Sequence, residues 1–333
     1  MKHKICIIKG DGIGPEVVEN ALNVLEALNL DLEFTEAEAG YECYKKNGSS
    51  ITQETINACK EADATLMGAV TTPPKIEGYK SAIVTLRQKL NLFANIRPIK
   101  SYPIENTRQN IDMFIVRENT EGLYSGIERV EKDKAIAERI ITRKGSERII
   151  RYAFELAKKQ NRNKVTVVHK ANILRKTCGL FRDIAFGVAE DYNKIEMEEV
   201  LVDAMAMRLI KQPENFQVIV TTNLFGDILS DEACMLVGGL GVAPSGNIGN
   251  SNAIFEPVHG SAPKYAGKNI ANPIAIFLSA KMMLEYLNEN KAADKINESV
   301  RTLLKNKKIL TKDLGGNSKT SEVAEEIINI IQG

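Results

Sequence analysis

Two aspartates, Asp227 and Asp231, form the strongest chemical signal in this sequence of 333 residues. They lie in the segment NLFGDILSDE (223–232), directly after the apolar run Val218–Val220. We expect a helix that begins at the carboxyl end of a strand and carries both carboxylates on one face. Such a pair suits Mg²⁺ or Mn²⁺, and Asp203, after another apolar stretch, is a candidate third ligand. Helix capping by Asp227, with a solvated Asp231, explains the pair about as well.

Arginines form a second chemical group. Arg87, Arg97 and Arg117 each follow apolar residues, and Arg117 ends a strongly apolar segment. A guanidinium in that position can bind a substrate carboxylate through two parallel hydrogen bonds. For Arg117 the alternative is a salt bridge to Glu118 or Glu121.

Lys170 follows the apolar run 165–168 and His169 in the same way. A lysine crowded by arginine and metal charges can take part in proton transfer. The alternative is a lysine whose stem packs on apolar surface while its ammonium stays in water. His169 and His259 are predicted to be structural or cofactor-contacting rather than metal ligands, because no H-x-x-x-H spacing occurs.

The glycine turn Gly10–Gly14 does not have the spacing of a dinucleotide-binding G-x-G-x-x-G loop. Pro15 also removes a backbone amide that a phosphate would need. The small-residue loop His259–Gly267 is therefore the better candidate for nucleotide binding.

Composition excludes several classes of protein. With 44 basic and 43 acidic residues the net charge is +1, which argues against nucleic acid as the main partner. The five cysteines form no C-x-x-C pair, as expected for free thiols in a reducing cytoplasm. No apolar run reaches the roughly 20 residues that span a bilayer, and residues 1–4 leave no room for a signal peptide. We therefore expect a cytoplasmic protein without membrane contact.

The elements that must position these residues alternate between strands and helices. Apolar runs predict strands at Lys4–Ile8, Ala64–Val70, Met113–Arg117, Lys164–His169 and Gln217–Thr222. Helices are predicted at Glu16–Leu28, Gly145–Gln160, Gly179–Asp191, Ile274–Leu287 and Ser321–Ile331. This alternation predicts an α/β fold with a mostly parallel sheet covered on both faces, and the length predicts two domains.

Taken together, the motifs resemble the isocitrate, homoisocitrate and 3-isopropylmalate dehydrogenases, which are β-decarboxylating dehydrogenases. The resemblance covers essentially the whole chain. It is carried by Gly10–Glu16, Ser81–Arg87, Asn95–Pro98, Arg117–Tyr124, His169–Asn172, Asn223–Asp231, Glu256–Gly267 and Asp313–Gly316.

The resemblance implies a two-domain isopropylmalate-dehydrogenase-like fold with a shared, mostly parallel central sheet, not a Rossmann domain. Residues 1–98 plus 244–333 would form a large, nucleotide-binding domain. Residues 99–243 would form a small domain with the dimer interface and the metal-site aspartates. An obligate homodimer is implied, with active sites that borrow residues across the interface.

The resemblance also implies roles for individual residues. Arg87, Arg97 and Arg117 would clamp the substrate carboxylates, and Tyr124 would donate a proton to the enol left by CO₂. Asp227 and Asp231 would hold the metal with Asp203 of the partner subunit, while Lys170 of the partner subunit assists removal of the hydroxyl proton. Ser81 and Asn172 would also bind substrate. Nucleotide binding would fall to Thr72, His259, Gly260, Ser261, Ala262, Lys264, Tyr265 and Asn272.

The implied reaction is the NAD(P)-dependent oxidative decarboxylation of a 2-hydroxy acid, a 3-substituted malate. Ser81 matches isocitrate-type enzymes, but Ile83 stands where those enzymes carry asparagine, a combination more similar to homoisocitrate dehydrogenases. Isopropylmalate enzymes favour a glutamate and leucines in this segment. The expected substrate is thus a hydroxy tricarboxylate: homoisocitrate first and isocitrate second, with 3-isopropylmalate third. A non-catalytic regulatory subunit is disfavoured because the charged site residues are all present.

For the nucleotide, Lys264 and Tyr265 stand where NAD-type relatives carry aspartate and isoleucine. The aspartate would repel the 2′-phosphate of NADP, whereas a lysine can bind that phosphate. Lys312 and Gly316 replace the tyrosine and arginine of the full NADP signature. We therefore expect NADP to be preferred incompletely, with NAD as the alternative.

Overall fold

Apolar strands and amphipathic helices alternate along the chain, as the sequence predicts. The computed structural model describes residues 2–333 except Lys75 and Glu77. Its strands are β1 His3–Ile8, β2 Leu32–Ala37, β3 Ala64–Met67, β4 Ala94–Lys100, β5 Asp112–Glu118, β6 Glu128–Glu131, β7 Lys134–Ala137, β8 Lys164–His169, β9 Glu196–Leu201, β10 Val218–Thr221, β11 Pro244–Ile248 and β12 Ala253–Pro257. Its α-helices are α1 Gly14–Glu26, α2 Tyr41–Asn47, α3 Gln53–Glu61, α4 Ala82–Lys89, α5 Arg143–Lys159, α6 Thr177–Ala189, α7 Val202–Lys211, α8 Asn223–Leu236, α9 Ile274–Tyr286, α10 Asn290–Asn306 and α11 Thr320–Gln332. The predicted elements are confirmed, and their ends differ from the observed ones by at most three residues.

Ten strands form one mixed sheet in the order β2-β1-β3-β12-β11-β4-β5-β10-β8-β9. The pairs β4–β5 and β11–β12 are antiparallel. The pairs β1–β2, β1–β3, β3–β12, β5–β10, β8–β10 and β8–β9 are parallel. The prediction of an α/β fold with a mostly parallel sheet is therefore confirmed. Strands β3 and β10 are buried throughout, which is why they read as continuous apolar runs.

Contacts divide the chain into two units. Unit 1 comprises Met1–Asn91, Tyr102–Thr107 and Val237–Gly333, and unit 2 comprises Leu92–Ser101 and Arg108–Leu236. The boundaries expected from sequence for the functional domains, 98/99 and 243/244, stay a prediction.

In unit 1, the Glu16 carboxylate on α1 joins segments that are far apart in sequence. It accepts hydrogen bonds from the backbone N–H groups of Asn269 (2.9 Å) and Ala271 (3.1 Å). It also accepts one from the Thr320 hydroxyl at 2.5 Å, where α11 begins. Helix α1 and the start of α11 are thereby fixed to the chain just before α9.

In unit 2, α5 is amphipathic and buries Ile149, Ile150, Ala153 and Phe154 against the sheet. The Thr142 hydroxyl caps it by accepting a hydrogen bond from the Gly145 amide at 2.9 Å. Across the described ranges of both units, we find no helix that is long and apolar enough to cross a membrane.

Candidate active site

The carboxylates of Asp227 and Asp231 converge on one guanidinium in unit 2. Helix α8 begins at Asn223, so the two aspartates lie one turn apart on the same face. Arg97 Nη2 lies 3.1 Å from Asp227 Oδ1, and Arg97 Nη1 lies 2.9 Å from Asp231 Oδ1. The alternative in which Asp227 caps the helix is wrong, because Asp227 lies inside α8.

Arg117 is the second-last residue of β5 and is 1% exposed. Its Nη1 forms an ion pair with Asp227 Oδ1, while Nε and Nη2 donate to Asn223 Oδ1 at 3.0 and 2.8 Å. The close approach of α8 to β5 requires Gly226, since a Cβ there would lie 2.7 Å from the Arg117 side chain. The carboxylate pair on α8 is thus held beside two buried arginines.

Tyr124 completes this cluster. Its hydroxyl donates a hydrogen bond to Asp227 Oδ2 at 2.5 Å, and the Arg117 guanidinium lies 5.0 Å from its ring centroid. Burial, followed by the hydrogen bond to Asp227, raises the pKa of the Tyr124 hydroxyl. The phenol therefore remains protonated at neutral pH and can act as a proton donor.

Two polar residues that sequence analysis overlooked hold Arg97. Its Nε donates to Asn95 Oδ1 at 2.9 Å, and its Nη1 donates to Ser230 Oγ at 2.7 Å. Asn95 could have been found, because residues two apart on a strand point to the same face. Ser230 lies between Asp227 and Asp231 in sequence but was not singled out.

Lys170 and Asp203 form a separate pair in unit 2. Lys170 follows β8, Asp203 lies in the first turn of α7, and the Nζ–Oδ1 distance is 2.7 Å. The hydrogen bond from Lys170 is the main reason that the pKa of Asp203 is lowered. Asn172 is exposed just after Lys170. Nowhere in the described chain do three His, Cys, Asp or Glu side chains come close enough to hold one metal ion, so Asp203 does not join Asp227 and Asp231 within one chain.

In unit 1, Arg87 on α4 is 8% exposed and lies against the antiparallel β11–β12 pair. Its Nε donates to Asn247 Oδ1 at 3.0 Å, and its Nη2 lies 3.2 Å from Glu256 Oε1. Asn247 Nδ2 in turn donates to Glu256 Oε1 at 2.8 Å. Ser81 precedes α4 and is partly exposed; among the described residues its hydroxyl makes no capping bond.

The predicted nucleotide loop rests on the glycine turn after β1. The Ile13 amide donates to the Ser261 carbonyl at 2.8 Å, and a Cβ at Gly12 would lie 2.0 Å from that oxygen. The Ser261 hydroxyl lies 2.6 Å from that of Thr71, and Ala262 has a φ of 37°. The glycine turn thus gives the loop close backbone support.

The other predicted nucleotide-binding residues lie in this loop or near it. Asn272 Nδ2 donates to Asp313 Oδ2 at 2.8 Å, while burial lowers the pKa of His259. Lys264 and Tyr265 are exposed, and Lys268 Nζ lies 5.9 Å from the Tyr265 ring centroid. Also exposed are Thr72 and Gly260.

Comparison with known proteins shows which family this chain resembles. The family model described as isocitrate/isopropylmalate dehydrogenase matches residues 4–327. The chain is 53% identical over 342 residues to homoisocitrate dehydrogenase of Methanocaldococcus jannaschii, covering 99% of this chain and 98% of that protein. It is also 53% identical over 325 residues to 3-isopropylmalate dehydrogenase of Methanothermobacter thermautotrophicus, covering 97% of each. The crystal structure of isocitrate dehydrogenase from Methylococcus capsulatus superposes with a TM-score of 0.96 at 44% identity, covering 99% of this chain and 100% of that one.

Proposed function

Because the chain belongs to the isocitrate/isopropylmalate dehydrogenase family, an NAD(P)-dependent β-decarboxylating family, we propose that homoisocitrate is its substrate and isocitrate the second choice. The observation that carries the proposal is the convergence of Arg97, Arg117 and Tyr124 on Asp227. Two guanidinium groups next to a protonated phenol suit a substrate with several carboxylates that gains a proton after losing CO₂.

The donor set around α8 fits a hard divalent cation. Asp227 and Asp231 reach the same guanidinium, so their carboxylates converge closely enough to share an ion. Together with Asp203 of the partner subunit they would hold Mg²⁺ or Mn²⁺, which when bound polarises the C2 oxygen of the hydroxy acid and stabilises the enolate charge.

The remaining steps are assigned to side chains of this protein. Arg97 and Arg117 bind and orient the carboxylates of the malate part. Lys170 of the partner subunit assists removal of the C2 hydroxyl proton as hydride leaves for the nicotinamide. Tyr124, whose phenol is protonated at neutral pH, then delivers a proton to the carbon that has lost CO₂.

The preference among substrates rests on α4. Homoisocitrate, isocitrate and 3-isopropylmalate share the malate part and differ in the substituent, which Ser81 and Ile83 would meet. A serine hydroxyl is a good partner for a distal carboxylate and a poor one for an isopropyl group. Ile83 cannot hydrogen-bond a carboxylate. A substrate whose substituent is longer, and so carries its distal carboxylate further from Ile83, therefore suits this position better. Relatives named for homoisocitrate and for 3-isopropylmalate are equally similar, so the proposal rests on Ser81 and Ile83 rather than on overall identity.

We also propose NADP as the preferred nucleotide and NAD as the alternative. Lys264 is exposed on the loop, and Lys268 brings a second cation near Tyr265. A 2′-phosphate bearing two negative charges would be attracted to this end of the loop, where an aspartate would repel it.

Assembly into a homodimer is proposed from the exposed apolar side chains of α7 and α8. Met207, Ile210, Ile228 and Met235 are 57–67% exposed, and the two helices contact each other. An apolar surface of this kind on adjacent helices is typical of subunit interfaces. Burying α7 against a second copy would also bring Asp203, which lies on α7, to the neighbouring chain.

The experiment that tests the proposal compares kcat/KM for homoisocitrate, isocitrate and 3-isopropylmalate, each with NADP and with NAD, in saturating Mg²⁺. We expect the highest value for homoisocitrate with NADP. A higher value for 3-isopropylmalate would overturn the substrate assignment. Absence of turnover with all three acids would overturn the proposed activity.

A further inference from the structure

Each of the three arginines assigned to substrate binding donates its Nε–H to the side-chain oxygen of a buried asparagine. The pairs are Arg87–Asn247 at 3.0 Å, Arg97–Asn95 at 2.9 Å and Arg117–Asn223 at 3.0 Å. These asparagines are at most 1% exposed. The pairs lie in different places: the first in unit 1 and the other two in unit 2. The same pattern at all three arginines, in two separate clusters, points to a shared requirement.

The orientation of these amides follows from hydrogen-bond chemistry. A guanidinium only donates, so the amide oxygen rather than the amide nitrogen must face it. The nitrogen is then free to bond elsewhere: Asn223 Nδ2 donates to the Glu121 carbonyl at 3.0 Å, and Asn247 Nδ2 donates to Glu256 at 2.8 Å. Asn223 and Asn247 are therefore fixed on both sides before any substrate arrives.

Asparagine has an electrostatic advantage here over aspartate. A carboxylate on Nε would bind the guanidinium more strongly but would neutralise its charge inside a buried site. A neutral amide fixes the plane of the guanidinium without adding a further negative charge beside it. Because Nε is bonded to asparagine, a substrate carboxylate would meet the Nη atoms, which here contact Glu256 in Arg87 and Asp227 in Arg97 and Arg117.

We propose that Asn95, Asn223 and Asn247 are positioning residues that set the planes of the three arginines for the carboxylates of the substrate. The proposal rests on the proposed function, because it assumes that these arginines bind the hydroxy acid. The role is indirect: the asparagines act through the arginines rather than on the substrate.

The test begins with Asn247→Ala. We expect KM for the hydroxy acid to rise by about 10-fold or more, the loss for one hydrogen bond to a charged group, while KM for the nucleotide changes less than about two-fold. The matched control is Asn252→Ala in the turn of the same β11–β12 pair, where the amide bonds the Cys59 and Lys60 carbonyls. That variant should leave both KM values unchanged.

A double-mutant cycle separates positioning from a general structural role. An Arg87→Lys enzyme lacks the guanidinium Nε–H that bonds Asn247. In that background, Asn247→Ala should therefore raise the KM for the hydroxy acid only slightly. Equal effects of Asn247→Ala in both backgrounds, or no effect on the hydroxy-acid KM, would overturn the inference. Asn95→Ala with Arg97→Lys repeats the cycle in unit 2 and serves if Asn247→Ala does not fold. Turnover by the wild type separates the two questions, since failure of the proposed function would abolish it.

Discussion

A mixed dimer made from two inactive chains should recover activity. One chain carries Lys170→Ala and the other carries Asp227→Asn. The Lys170 Nζ lies 2.7 Å from Asp203 Oδ1. Among the described residues of one chain, Asp203 does not come close enough to Asp227 and Asp231 to share a metal ion with them. If each site takes its aspartate pair from one chain and its lysine from the other, the two lesions fall into one site of the mixed dimer. The second site then contains neither.

The expected recovery follows from counting. Random exchange of equal amounts of the two chains makes about half of the dimers mixed, and each has one intact site of two, so ~25% of wild-type activity should return. Mixed dimers isolated through two different affinity tags should reach ~50%. A site built within one chain would instead leave every site with one lesion, and activity would stay at the average of the two parents.

The assay follows nucleotide reduction after co-refolding the two chains, with each parent refolded alone as control. Native mass spectrometry confirms that mixed dimers are present. Parent-level activity in confirmed mixed dimers would refute the assignment of Lys170 to the neighbouring site.

Three further predictions concern single sites. Asp227→Asn should lower kcat by ~100-fold or more at saturating Mg²⁺, because the carboxylate serves the cation, while circular dichroism stays unchanged; near-wild-type turnover would contradict the metal assignment. Ile83→Asn should shift preference toward isocitrate by ~1–3 kcal/mol in relative kcat/KM, the value of one polar pocket contact; an unchanged ratio would place selection elsewhere. The double change Lys264→Asp and Tyr265→Ile should reverse the nucleotide preference by ~1.5–3 kcal/mol. A wild type that prefers NAD about tenfold or more would refute this role of Lys264.

The sequence predicted the sheet and the family because both depend on strong local patterns. Buried parallel strands are continuous apolar runs, and the motifs keep their order along the chain. The strand predicted at Ala64–Val70 ends earlier, at Met67, because the next residue is Gly68, which has no apolar side chain. A Cβ at Gly68 would lie 2.3 Å from the Lys9 carbonyl, so this position accommodates the neighbouring turn.

The partners of the site residues were harder to predict, because they depend on contacts between distant segments. Asn247 lies 160 residues from Arg87, and nothing in the local sequence around either residue indicates the pairing. Asn95 and Arg97 share a strand face, so their contact was within reach of a periodicity argument. The pairing of Lys170 with Asp203 joins the end of one strand to the start of a helix, which only the fold reveals.

The hydrogen bonds of Glu16 have a consequence for biosynthesis. Helix α1 is translated before the groups that bond the Glu16 carboxylate, which lie at residues 269, 271 and 320. Residues 108–236 are all translated before the last part of unit 1 has been made. During that interval the apolar face of α1, with Val17, Val18 and Ala21, cannot be covered by α9 and α11. A nascent chain of this architecture therefore leaves this face of α1 uncovered until α9 and α11 have been made, and chaperones that bind apolar segments would protect the helix.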